Sequence, residues 1–161
     1  MKTVNLLFLL CFTIALGSCQ TRNNNSTQEL DSKALSENPN LKRAYFASGC
    51  FWCVEAVYES LNGVTESLSG YSGGHTENPT YEDSNTGTTG HAEAVEIYYD
   101  PEIVSFKSLV DVYFGSQNPT QINGQGPDNG TQYRSLLFYS NETEKQIIDQ
   151  KIRALNKELA P

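Results

Sequence analysis

The sequence predicts an α/β (α+β) single domain, a ferredoxin-like split βαβ sandwich with a mixed sheet and long functional loops. Three observations lead there. Segments that read as strands occur at 43–47, 64–70, 91–99 and 132–139, the third with regular alternation. Apolar stripes at helical spacing follow the first and third of these, and another follows the last, so the order is strand-helix-strand, strand-helix-strand, helix. The connections at 71–90 and 118–130 are polar, glycine-bearing and longer than a compact domain needs merely to link its elements, which marks them as functional.

The first forty residues stand apart from this pattern. Lys2 precedes an apolar run from Val4 to Ala15 and the small-residue sequence Leu16-Gly17-Ser18-Cys19. The run is too short for an ordinary membrane span and reads as a secretory signal over 1–18. Leu-Gly-Ser-Cys resembles the lipobox of bacterial lipoproteins, which implies cleavage before Cys19 and lipidation of its thiol; the competing reading is a plain cleaved signal that leaves Cys19 free. Residues 19–40 are polar and almost free of large apolar side chains, the composition of a disordered tether. The expected location is therefore outside the cytoplasm, lipid-anchored to a bacterial membrane on the periplasmic side or cell surface, with the lipid as the only membrane contact.

Residues 41–161 remain for the domain, enough for one modest core. The formal charge of −8 becomes about −9 once Lys2 leaves with the signal, which argues against nucleic-acid partners and polybasic membrane contacts. Of four cysteines, Cys11 departs with the signal and Cys19 carries lipid, so Cys50 and Cys53 are left for chemistry and no disulfide framework is implied.

Taken in order, Arg43 to Ala47 reads as a buried strand, and Val54, Val57, Tyr58 and Leu61 form a helical stripe after it. Val64 to Gly70 is the second strand and His91 to Tyr99 the third. Phe106, Leu109, Val110, Tyr113 and Phe114 make the second helical stripe, stopped at Gly115. Gln132 to Tyr139 is the last strand. Asn141, with Glu144 three residues on, is a capping-box start for a final helix bearing Ile147, Ile148, Ile152, Leu155 and Leu159.

The chemistry concentrates in Gly49-Cys50-Phe51-Trp52-Cys53-Val54-Glu55, at the junction of the first strand and helix. Backbone N–H groups and the positive end of the helix dipole favour an anion there, so the Cys50 pKa is expected to fall and its thiolate to serve as a nucleophile. Cys53, three residues later, is close enough to attack a sulfur adduct on Cys50 and close a disulfide. Two structural readings compete: a pair of inert buried thiols, and half of a zinc site. Zinc needs about four ligands, and beyond these two cysteines the domain offers only His75 and His91, so no metal is expected.

Alternation puts Glu93 on the face of Val95, Ile97 and Tyr99; if that face is the core, desolvation raises its pKa and makes it a general acid, and otherwise it is a rim carboxylate. Tyr71, Tyr81, Asp128, Tyr133, Arg134, His75 and His91 stand in the loops or at strand ends, where each taken alone carries only a weak signal and the ordinary reading is an aromatic, turn or surface residue.

Together with Gly49 to Glu55, the segments Gly70-Tyr71-Ser72-Gly73-Gly74, Asn78-Pro79-Thr80-Tyr81, Gly90-His91-Ala92-Glu93-Ala94-Val95 and Gly130-Thr131-Gln132-Tyr133-Arg134-Ser135 resemble, in order, the type A peptide methionine sulfoxide reductases. The resemblance implies that Cys50 attacks the sulfoxide sulfur, that Glu93 protonates the departing oxygen, that Tyr81 and Tyr133 hold that oxygen with Asp128 in the surrounding network, and that Phe51 and Trp52 form the pocket for the S-methyl group. It implies reduction of the S epimer in oxidised Met-containing proteins or peptides, with the free amino acid as a further candidate substrate and no cofactor beyond a thioredoxin-like dithiol. Relatives of this type often carry a resolving cysteine near the C-terminus, whereas here Cys53 is the internal candidate, and the usual further strand and Tyr-, His- and Gln-rich segment is expected to be lacking. A monomer is expected. The alternatives are a thioredoxin-type disulfide oxidoreductase and a truncated domain that binds oxidised protein without reducing it.

Overall fold

A computed structural model describes residues 33–159. The residues read as a secretory signal, Cys19 and the tether up to residue 32 lie outside the described residues; within the rest of the stretch expected to be disordered, 33–36 form a helical turn. Four strands form one sheet: β1 (Lys42–Ala47), β2 (Val64–Ser72), β3 (Ala92–Tyr99) and a short β6 (Leu136–Leu137), in the order β2-β3-β1-β6. Helix α1 (Phe51–Glu59) joins β1 to β2 with β3 lying between them, which is the split βαβ crossover. All sheet pairings are antiparallel, so the sheet is not mixed. The reason is connectivity: both crossovers, β1 to β2 and β3 to β6, skip a neighbour, leaving no parallel pair side by side.

Helices α3 (Phe106–Gly115) and α4 (Glu142–Glu158) join α1 in covering one face. Alternation decides which side chains go there: Ala44 and Phe46 from β1 and Val95, Ile97 and Tyr99 from β3 share a core with Val54, Tyr58, Leu109, Val110, Tyr113 and Ile148. Phe46 is fully buried at its centre, 5.6 Å from the Tyr58 and Tyr113 rings and 5.9 Å from Phe106. Burial of a side chain of this size stabilises by about 1.5–3 kcal/mol. Two buried tyrosines end in polar anchors: the Tyr58 hydroxyl donates to the Leu109 carbonyl at 3.1 Å, and Tyr113 donates to the Ala47 carbonyl at 2.9 Å. The second bond pins α3 to the residue that ends β1, three positions before Cys50.

The last helix starts as its sequence asks. Asn141 accepts from the Glu144 N–H at 3.0 Å, while the returning Glu144 carboxylate takes the Ser140 N–H at 2.7 Å, one residue earlier than a standard capping box. Helix α3 is capped by Ser105, which accepts from the Ser108 N–H at 3.0 Å.

Three segments differ from the sequence expectations. The loop at 71–90 contains a short helix, α2 (Tyr81–Asn85), opened by a full capping box between Thr80 and Asp83. The loop at 118–130 folds on itself as a two-stranded ribbon, β4 (Gly124–Gln125) against β5 (Asp128–Asn129). The expected strand over 132–139 shrinks to β6, because a 3-10 turn (Thr131–Tyr133) occupies its start. That turn is held by Arg134, whose guanidinium donates to the carbonyls of Thr131 at 2.7 Å, Gly90 at 2.9 Å and His91 at 3.3 Å. Three carbonyls on one guanidinium draw the chain toward the 90–91 segment and away from the sheet.

Candidate active site

Cys50 is the N-cap residue of α1, with φ −59° and ψ 118°, and its carbonyl accepts the N–H groups of Cys53 at 3.1 Å and Val54 at 3.2 Å. Its side chain makes no capping bond, so the thiol is available beside the positive end of the helix. Cys53 is exposed. Hydrogen bonding to Cys50 pushes the Cys53 thiol above its ordinary pKa, with further contributions from the Cys50 charge, burial and the carboxylates of Asp128 and Glu93. Cys53 thus holds its proton more tightly than an ordinary thiol and lies within hydrogen-bonding reach of Cys50.

Glu93 faces the core side of β3, as alternation predicts, and is 2 % exposed. Its carboxylate accepts the Phe51 N–H at 3.0 Å, so the first peptide group after Cys50 is tied to the carboxyl. Burial pushes the Glu93 pKa above its ordinary value; the Phe51 hydrogen bond opposes this and Asp128 reinforces it. A thiol at a helix start and a buried carboxyl whose pKa is raised are thereby tied to the same turn of backbone, the carboxyl through the peptide group that follows Cys50.

Aromatic rings enclose the rest of the cleft. Phe51 is buried, 5.1 Å from Trp52, 5.6 Å from Tyr71 and 6.4 Å from Tyr81. Tyr81 stacks on Trp52 at 5.7 Å with planes 21° apart. Trp52 and Tyr81 remain 59 % and 41 % exposed, so the wall is dry at Phe51 and open at its rim. Tyr133 approaches from the 3-10 turn: burial raises its pKa first, and Glu93, Tyr81, Asp128 and Cys50 then each add to the rise. The residues to which the resemblance assigns roles in the reaction, Cys50, Cys53, Phe51, Trp52, Tyr81, Glu93, Asp128 and Tyr133, therefore lie round one cleft.

Tyr71, ambiguous in the sequence, also belongs here. It lies directly opposite Glu93 in the β2–β3 register, and burial, then Glu93 and Tyr81, push its hydroxyl up. The signal was available, since Tyr71 extends the second strand in phase. Gln125 was not singled out, yet it packs against the backbone just before Cys50. His91 braces the glycine loop, accepting from the Gly74 N–H at 3.2 Å and pairing through Nε2 with the Thr76 carbonyl at 2.8 Å.

Gly49 shows how close that packing is. Its φ is +85°, and a Cβ there would fall 2.6 Å from the Gln125 Cβ. Gly49→Ala is expected to destabilise the fold by about 2 kcal/mol, from left-handed strain and displacement of the β4–β5 ribbon. Urea unfolding checks this, and an unchanged midpoint would refute it.

Comparison with known proteins agrees with this geometry. Residues 42–160 match the family model described as peptide methionine sulfoxide reductase. The chain belongs to that family. It is 49% identical over 119 residues to the peptide methionine sulfoxide reductase MsrA of Pasteurella multocida, covering 74% of this chain and 68% of the relative. It is 50% identical over 129 residues to MsrA 2 of Mesorhizobium japonicum, covering 80% and 65%. Among solved structures, methionine sulfoxide reductase A of Corynebacterium diphtheriae superposes with a TM-score of 0.68 at 34% identity, covering 76% of this chain and 61% of that one. Reduced Mxr1 of Saccharomyces cerevisiae gives 0.70 at 31%, covering 75% and 72%. This member of the peptide methionine sulfoxide reductase family thus spans about two thirds of the length of the curated relatives it matches.

Proposed function

We propose that this chain reduces methionine S-sulfoxide in oxidised proteins and peptides to methionine, with the free amino acid as a further candidate substrate. The observation that carries this is the hydrogen bond from Phe51 N–H to the buried Glu93 carboxyl, which sets a proton donor beside the Cys50 thiol. The Cys50 thiolate attacks the sulfoxide sulfur while Glu93 protonates the oxygen. The oxygen ends on Cys50 as a sulfenic acid, and methionine leaves with the electron pair. Tyr81 and Tyr133 donate hydrogen bonds to that oxygen, and Asp128 orders the surrounding polar groups. Phe51 and Trp52, together with Tyr71, hold the S-methyl group in an apolar wall.

Cys53 then attacks the sulfenic sulfur, water departs and a Cys50–Cys53 disulfide forms, which an external thioredoxin-like dithiol reduces. No cofactor is required in this sequence of steps. In the whole protein we place residues 1–18 as a secretory signal, Cys19 as the lipidated residue and 19–40 as the tether. The domain would then work as a monomer outside the cytoplasm, held to the membrane by its lipid.

The test is single-turnover reduction of a methionine S-sulfoxide peptide by the prereduced protein, with mass spectrometry for the Cys50–Cys53 disulfide. Methionine appearing with that disulfide is the expected result. Activity on protein disulfides with none on sulfoxides would replace this reading with a thioredoxin-type one, and a folded protein inert to both would leave only a binding role. Cys53→Ser is expected to stop after about one methionine per enzyme when a thioredoxin-type donor is supplied, because the sulfenic acid then lacks its internal partner. Sustained turnover, measured as product per enzyme, would remove Cys53 from the recycling step.

A further inference from the structure

Strand β2 lies at the edge of the sheet, paired only with β3 among the described residues. Its register is irregular between Val64 and Glu66 and then runs without interruption from Glu66 to Ser72. An edge strand turns alternate N–H and C=O groups outward, and proteins ordinarily guard such edges with lysine, proline or bulges. After Glu66 this one reads Ser67-Leu68-Ser69-Gly70-Tyr71-Ser72, with no charge, no proline and no bulge.

The edge is also the floor of a groove. A cavity of about 340 Å³ is lined by Trp52 and Glu55 of α1, by residues 66–69 of β2 and by Leu35. Trp52 lines this groove and also belongs to the aromatic wall beside Cys50, so one side chain is common to groove and cleft. At Gly70 an added Cβ would meet nothing within 4 Å, and the residue has no positive φ, so the fold itself does not demand glycine there. A glycine inside a strand without internal cause is what close approach of another backbone calls for. The groove carries two carboxylates, Glu55 and Glu66. Glu55 accepts from the Ser69 hydroxyl, while Glu66 has no ion-pair partner among the described residues.

We propose that the free edge of β2 is a docking strand for substrate: an extended, basic polypeptide pairs its main chain along residues 66–72 and delivers its methionine sulfoxide across Trp52 into the cleft. This rests on the reductase reading above and narrows its substrate class to unfolded or locally extended chains. Main-chain pairing supplies affinity without sequence demands, and the carboxylates add a preference for lysine or arginine. At ~3.3 Å per residue, the distance along the strand from Tyr71 to Glu66 puts the favoured basic residue about five positions from the sulfoxide.

The experiment uses peptides bearing one central methionine S-sulfoxide, N-methylated at one backbone amide at a time. Each is assayed for kcat/KM and, with the Cys50→Ser protein, for binding through the fluorescence of Trp52, the sole tryptophan of the chain. The expected profile alternates: every second N-methyl group costs about fivefold in both readouts, the worth of one main-chain hydrogen bond, and the intervening ones cost little. Glu66→Lys should turn the preference for lysine at the distal position into one for glutamate. A flat N-methyl profile with reduction intact, or a charge preference that ignores Glu66→Lys, overturns the docking strand alone. Alternating binding without any reduction upholds the docking strand and overturns the reductase reading. Neither binding nor reduction overturns both.

Discussion

Cys50→Ser is expected to remove sulfoxide reduction down to the uncatalysed background, a loss of at least about 10⁴-fold, the scale seen when a covalent nucleophile is deleted. A serine hydroxyl at the same place is not ionised near neutral pH and has no oxidation step to offer, so neither the attack nor the oxygen transfer can occur. The structure adds a second expectation that separates chemistry from folding. Cys50 is the N-cap of α1 and makes no side-chain capping bond, whereas serine is among the preferred N-cap residues. The variant should therefore be as stable as the parent, or more stable by up to about 1 kcal/mol. Activity by product release and stability by thermal unfolding check the pair. Residual turnover would reassign the nucleophile, and an inactive but unfolded variant would leave the role of Cys50 open to a structural explanation. Cysteine at a position that favours serine is consistent with a residue kept for reactivity at the expense of capping.

Much of this arrangement is legible in the sequence, for identifiable reasons. Alternation along 91–99 places Glu93 with Val95, Ile97 and Tyr99, and the structure puts that face against the core with Glu93 almost wholly buried. The stripe of α3 ends at Gly115 as its pattern predicts, and α4 begins after Asn141. Both rest on interactions within one turn, which sequence spacing encodes directly.

What the sequence does not convey depends on contacts between distant segments. The turn that carries Tyr133 is drawn out of the last strand by Arg134 reaching the carbonyls of Gly90 and His91, more than forty residues away, and no local pattern at 132–139 contains that information. The approach of Gln125 to Gly49 is equally non-local, although the positive φ of Gly49 is the kind of demand that only glycine meets cheaply. The α2 helix is a different case. Thr80 and Asp83 form a capping box at the ordinary spacing, a signal present in the sequence but hidden by the glycine-rich surroundings of a five-residue helix.

Glu93→Gln is expected to lower the rate of the chemical step by about 10²–10³-fold, within the range for loss of a positioned general acid, while leaving KM nearly unchanged. Glutamine keeps the acceptor for the Phe51 N–H and nearly the same volume, so the start of α1 should hold its place; what disappears is the proton. The direction of the Glu93 pKa, raised mainly by burial, fixes the sign of two pH effects. As an acid, Glu93 works in its protonated form, so sulfoxide reduction in a single turnover should slow as pH rises through the folded-state pKa, and the variant should lose that limb. Disulfide formation should run the other way, because the Cys53 thiol is held above its ordinary pKa and gains thiolate as pH increases. For stability, a carboxyl whose pKa is raised on folding stabilises fully below its unfolded-state pKa, and that contribution is lost as pH climbs through the folded-state value. Glu93→Gln should accordingly match the parent at low pH and surpass it in thermal unfolding at neutral pH, where the parent holds a desolvated charge. A variant that loses activity together with stability at neutral pH would point to Glu93 as a support for the α1 start, whereas one that gains stability and loses only the chemical step would fix its role as the proton donor.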